Sequence, residues 1–121
     1  LRRSTETGII EWKKRGVFWM MIPLIDPAQA IRLLDAGTAQ AVDVREPDEY
    51  AAGHIPGAVL LPVGQVREKA AALLPDKAAR LLVYCRTGRR SAAACKQLQQ
   101  MGYTAVANLG GILSWPYELE S

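Results

Sequence analysis

With 121 residues, half of them apolar, the chain can bury one hydrophobic core and is too short for two domains of ordinary size. Its net charge of +3 is not spread over a surface: Arg2, Arg3, Lys13, Lys14 and Arg15 against Glu6 and Glu11 account for it, and the charges after residue 18 cancel. With no cationic stripe carrying interleaved aromatics in the body of the chain, nucleic acid is excluded as the expected partner.

Residues 1–18 read as a basic N-terminal arm, and residues 19–121 as the folded domain. Trp12 and Phe18, with Trp19 just beyond, are the arm's apolar exceptions and are expected to pack back on the domain, a partner or membrane-surface contact being the alternative. The apolar run from Gly16 to Ile25 is about ten residues and contains Pro23, whereas a membrane span needs roughly 20, so no span is expected. Asp26 and Pro27 are an N-cap and a first-turn proline, and Ala30, Ile31, Leu33 and Leu34 form the apolar face of a helix that Gly37 ends. Gln40 to Val44 is a short buried strand, and Pro47 opens a brief helix that stops at Gly53. Val59 to Leu61 is the next strand. Val63, Val66, Ala70, Leu73 and Leu74 recur at helical spacing before Pro75. Leu81 to Cys85 is the central strand, Ser91 to Met101 a helix closed by Gly102, and Ala105 to Leu109 a last strand followed by a turn or helix over Ile112 to Leu119. Short apolar strands alternating with helices predict an α/β domain with a mainly parallel sheet covered on both faces. Sites in such sheets form at the carboxyl ends of strands, and Cys85 stands at one.

Cys85 and Cys95 are the two cysteines, and their spacing makes neither a disulfide framework nor a zinc pattern, so a reducing, cytoplasmic setting is the default, with a removed leader left open. Cys85 is followed by Arg86-Thr87-Gly88-Arg89-Arg90 and the helix from Ser91. Backbone N–H groups at a helix start favour an anion, nearby guanidinium groups add to that field, and both favour thiolate, the reactive form of cysteine. Gly88 permits backbone torsions that a side chain would resist, so the loop can fold its N–H groups around a sulfur anion as a nest. Cys95, beside Ala94 and Leu98, reads as a small core residue, with a resolving thiol as its functional alternative.

Cys85-Arg86-Thr87-Gly88-Arg89-Arg90-Ser91 resembles the active-site loop of the rhodanese (sulfurtransferase) family. Two more segments are similar to that family: Asp43-Val44-Arg45-Glu46-Pro47-Asp48-Glu49-Tyr50-Ala51-Ala52-Gly53-His54-Ile55-Pro56-Gly57-Ala58, and Asn108-Leu109-Gly110-Gly111-Ile112 followed by Trp115. The likeness runs from about Ile25 to Glu118, nearly all of the chain beyond the arm. It implies a rhodanese-like α/β domain that moves sulfane sulfur from a small anionic donor such as thiosulfate to a thiol, an acceptor protein or cyanide through a Cys85 persulfide, with no metal and no organic cofactor.

Arg86, Arg89 and Arg90 are candidates for donor recognition because a guanidinium fork suits sulfonate-like oxygens, and Arg86 stands first as the nucleophile's neighbour. Each has an alternative as a solvated charge or as a partner for the 43–49 segment. Thr87, Gly88 and Ser91 complete the loop's binding and supporting set. Asp43 and Arg45 are expected to form an ion pair that holds the loop, a structural role before a catalytic one. His54, the single histidine, is expected to stabilise a turn through its imidazole rather than act as a general base. A cysteine-dependent phosphatase or arsenate reductase is the mechanistic rival, but that pattern sets an arginine where Ser91 stands, and the shorter loop here makes a smaller cradle. Mercaptopyruvate is a poorer donor candidate, because that subgroup tends to follow the cysteine with Gly where this chain has Arg86. A non-enzymatic persulfide carrier or regulatory binding module is the other alternative.

Overall fold

A computed structural model describes residues 21–121, so the arm with Trp12 and Phe18, and Trp19 at the expected domain boundary, lies outside the described residues. Four parallel strands form one sheet in the order β2-β1-β3-β4: β1 Gln40–Asp43, β2 Val59–Leu60, β3 Leu81–Cys85 and β4 Val106–Gly111. Val42 faces Val59 on one side and Val83 on the other, and Val83 faces Asn108.

Strand β3 is buried along its whole length, which explains its unbroken apolar run. Alternate side chains serve opposite faces. Leu81, Val83 and Cys85 join a core with Val66 and Ala70 of α3 (Val66–Leu73) and Ala94, Cys95 and Leu98 of α4 (Arg89–Gln100). Leu82 and Tyr84 join a second core with Ala30 of α1 (Pro27–Asp35), Ile55 and Trp115, against which Tyr50 of α2 (Pro47–Ala52) packs. Helices therefore cover both faces of the sheet, the layered arrangement expected from the sequence.

Local chemistry sets the helix starts. In α1 the Asp26 carboxylate accepts the Gln29 N–H at 2.8 Å, with Pro27 in the first turn. In α2 the Glu49 carboxylate accepts the Glu46 N–H at 2.9 Å behind Pro47. The expected helix from Ser91 begins instead at Arg89, because Gly88, at a left-handed φ of 104°, turns the chain at once from loop to helix. Arg89 and Arg90 thus belong to the first turn of α4.

Two further elements differ from expectation. Strand β4 extends to Gly111 and shifts register between Val83 and Tyr84, with Tyr84 opposite Gly110 at φ 93°. The bulge sets Gly111 opposite Cys85, where it lies against Arg86 and Thr87 of the loop. After it comes only a 3-10 turn, Ile112–Ser114, since Pro116 cannot extend a helix. The C-terminal segment then pairs with His54, whose N–H and carbonyl both bond to Glu120 at 2.8 Å. Among the described residues no helix is long and apolar enough to cross a membrane.

Candidate active site

Cys85 ends β3, and its side chain is wholly buried at the base of the loop that leads into α4. The Gly88 N–H donates to Sγ at 3.0 Å, and the thiol lies 3.6 Å from the Ser91 hydroxyl. Burial pushes the Cys85 thiol pKa up, but the Ser91 hydroxyl and the backbone N–H groups of Ser91, Gly88 and Thr87 outweigh it, and the pKa falls below its ordinary value. Hydrogen bonds, rather than the guanidinium charges weighed from the sequence, are the leading lowering causes.

The loop keeps its shape because β4 presses on it. A Cβ on Gly111 would collide with the carbonyl oxygen of Arg86 and stand 2.7 Å from the Thr87 Cα, so only glycine fits there. The Leu113 N–H points to the same carbonyl at 3.4 Å. Asn108, buried on β4, ties the other side: its Oδ1 accepts the Ser91 hydroxyl at 2.7 Å and the Gly110 N–H at 2.9 Å, and its Nδ2 reaches the Gly88 carbonyl at 3.4 Å. In the sequence Asn108 stood out only as a family marker. The signal for more was its polarity inside a strand, since a buried amide needs partners.

The three arginines separate. Arg86 and Arg89 are exposed, and among the described residues neither forms an ion pair. Arg90 is held by Glu49 of α2 through two bonds of 2.8 and 3.0 Å, a bidentate bridge that pushes the Glu49 carboxyl down to about 2. Its alternative role, as partner of the 43–49 segment, is the one its geometry displays. Thr87 is exposed at the loop tip.

Asp43 and Arg45 do pair, with Arg45 Nη2 2.7 Å from Asp43 Oδ2 and Arg45 Nε 3.0 Å from Oδ1. Expected to hold the Cys85 loop, the pair instead sends its remaining bond, 2.7 Å, to the Gly53 carbonyl at the end of α2. The reason is reach: Arg45 folds back over the Tyr84 ring at 5.7 Å, toward α2. His54 stacks on Tyr50 at 3.6 Å, with Nδ1 2.8 Å from the Tyr50 carbonyl and Nε2 3.3 Å from Glu120. Both ring nitrogens are thus occupied in the turn. Burial, with a smaller contribution from Cys85, pushes the Cys95 thiol up to about 12, so Cys95 stays protonated in the core.

Among the described residues no group of His, Cys, Asp and Glu side chains could hold a metal ion. Two sizeable concavities, about 710 and 790 Å³, lie away from Cys85: one against Leu24, Arg80 and Val106, the other against Leu34, Ile55 and Pro116. The site is therefore assigned on its chemistry, not on cavity size.

A buried cysteine thus closes a parallel strand of an α/β sheet within reach of backbone N–H groups, and it precedes a loop whose Arg86 and Arg89 have no ion-pair partner among the described residues. Residues 26–117 match the model of the rhodanese-like domain, and the chain belongs to that family. The thiosulfate sulfurtransferase PspE of Escherichia coli is 44% identical over 71 residues, covering 59% of this chain and 68% of PspE. A sulfurtransferase of Allochromatium vinosum is 41% identical over 85 residues, covering 69% of this chain and 78% of its own length. Among solved structures, the human single-domain sulfurtransferase TSTD1 superposes with a TM-score of 0.70 at 29% identity, covering 78% of this chain and 96% of TSTD1. Sulfur transfer is the activity these relatives support at the level of the family.

Proposed function

We propose that the chain transfers sulfane sulfur from thiosulfate, or a comparable anionic donor, to a thiol or cyanide acceptor through a persulfide on Cys85. The observation that carries this reading is the Cys85 sulfur, 3.0 Å from the Gly88 N–H and depressed in pKa, beside two guanidinium groups without ion-pair partners among the described residues. The Cys85 thiolate attacks the outer sulfur of thiosulfate, the donor S–S bond breaks, and sulfite leaves with the bonding pair. An acceptor thiolate then attacks the terminal sulfur of the persulfide, breaks the new S–S bond and returns Cys85 as thiolate. Arg86 and Arg89 hold the donor's sulfonate oxygens before sulfite leaves, and the N–H groups of Thr87, Gly88 and Ser91 hold the sulfur anion. Arg90, already bridged to Glu49, keeps α2 against α4 rather than meeting the donor.

Intact mass after treatment with thiosulfate tests this: one sulfur, about 32 Da, should appear on Cys85 as the covalent mechanism requires, and cyanide should remove it. Cys85→Ser should abolish both events. Sulfur appearing on Cys95, or release of phosphate from a phosphoester by the same sample, would overturn the assignment.

A further inference from the structure

The Ser91 hydroxyl has one proton and more than one claimant. Asn108 Oδ1 lies at 2.7 Å, the Gly88 carbonyl at 3.0 Å, the Gly110 carbonyl at 3.5 Å and the Cys85 sulfur at 3.6 Å. The Asn108 amide cannot turn over without loss. Its Oδ1 also accepts the Gly110 N–H at 2.9 Å and its Nδ2 faces the Gly88 carbonyl, so the oxygen must be the atom that meets Ser91. At the shortest of the four distances, Asn108 takes the hydroxyl proton. Ser91 then turns a lone pair to Cys85 and accepts the S–H of the neutral thiol, which is the direction of the 3.6 Å contact.

A thiolate has no proton to give and needs a donor in its place. We propose that Asn108 is a positioning residue for Cys85, acting through Ser91: it holds the Ser91 proton while Cys85 is a thiol and gives it up to the sulfur when the thiolate or persulfide anion forms. The thiol proton leaves to solvent, the hydroxyl rotates about its Cβ–Oγ bond, and no other bond changes. The reaction needs the thiolate, so the strength of the Asn108 hold on the hydroxyl proton biases how much of the resting thiol is ionised. Other titratable groups near the sulfur are Arg90 of α4 with Glu49 of α2 behind it, and Cys95 further along α4, which stays neutral. Arg86 and Arg89 follow it in the chain, Asp43 and Arg45 are paired at the end of β1, and β4 with the turn Ile112–Ser114 brings no ionisable side chain. Substitution at Asn108 or Ser91 removes none of these groups.

This rests on Cys85 as the reacting group but not on the identity of the donor. The test is a titration of the full chain without donor, following thiolate ultraviolet absorbance as the difference from Cys85→Ser. Asn108→Ala should lower the midpoint, raising the thiolate fraction below it about threefold or more, roughly half of a tenfold pKa unit on the logarithmic scale. Ser91→Ala should raise the midpoint, and the double variant should match Ser91→Ala alone, since the amide has no route to the sulfur without the hydroxyl. An equal Asn108→Ala shift with and without Ser91, or no shift in either, would overturn the proposal and leave Asn108 a shaper of the loop. Should Asn108→Ala fail to fold, Asn108→Asp retains the shape and grips the proton harder. Its midpoint should then rise more with Ser91 present than in the Ser91→Ala background, and an equal rise in both overturns the idea. Failure of thiosulfate to load Cys85 would not touch this result, and failure here would leave thiosulfate loading intact.

Discussion

At the end of β1, Asp43 and Arg45 satisfy each other: the carboxylate takes the guanidinium, the guanidinium's spare bond goes to Gly53, and both side chains are buried. On the adjacent strand, at the end of β3, Cys85 is equally buried, but among the described residues its sulfur is met by N–H donors and the Ser91 hydroxyl and by no counter-charge. N–H groups converge on the sulfur, and Arg86 and Arg89 stand at the rim without ion-pair partners among the described residues. The first of these two neighbouring strand ends is neutralised internally, and its chemistry ends in structure. The second is short of negative charge, which in the function proposed above a thiolate, a persulfide or an anionic donor would supply. The first turn of α4 sharpens the contrast, because it holds two arginines and no acid where a helix start favours negative charge.

Breaking the closed end should have the largest effect on stability. Asp43→Ala leaves the Arg45 guanidinium buried without its counter-ion, which should cost about 3–5 kcal/mol in denaturant unfolding, as removal of one partner of a buried pair does. A cost below about 1 kcal/mol would show that water reaches Arg45 and that the two strand ends differ less than their burial implies.

Next comes the open end. Arg86→Ala should lower kcat/KM for thiosulfate about tenfold or more, equivalent to about 1.4 kcal/mol, while leaving discharge of a preloaded persulfide to a neutral thiol unaltered. Arg86→Lys should restore part of the loss, because an ammonium lacks the planar fork. Equal damage to loading and discharge would show that Arg86 supports the loop's shape instead.

The smallest effect belongs to the bridge between the two ends. Arg90, through its bond to Glu49, holds the Glu49 carboxyl at about 2, below its ordinary value of 4.5. A carboxylate depressed on folding contributes stability that is complete above its unfolded pKa and is lost as pH falls through the folded one, here between about 4.5 and 2. Both partners are partly exposed, so screening limits the contribution to about 1 kcal/mol or less. Denaturant midpoints across that window should fall more for the unmodified chain than for Glu49→Gln, and parallel curves would show that the bridge adds nothing to stability.

Much of the fold is legible in the residues alone. Asp26-Pro27, Pro47 and Gly37 punctuate the helices, and Leu81 to Cys85 matches β3 at both ends, because capping, proline geometry and burial on both faces act on neighbouring residues. The strand–cysteine–loop–helix arrangement is local in the same sense. The left-handed turn at Gly88 that starts α4 at Arg89 is taken with Gly88 against Gly110, and β4 extends to Gly111, which packs on the Arg86 carbonyl; neither contact is legible there, since the partners are remote in sequence.

By itself, then, the sequence determined an α/β domain of the rhodanese-like family with Cys85 at a strand end among three arginines. Only the tertiary structure decided how those arginines divide, that Arg45 turns to Gly53 rather than to the loop, and that Asn108 reaches the Ser91 hydroxyl. The reason is the range of the forces concerned. Helix caps and strand runs are settled within a few residues, whereas a charge or an amide takes whichever partner the fold delivers, and Glu49 meets Arg90 from 41 residues away.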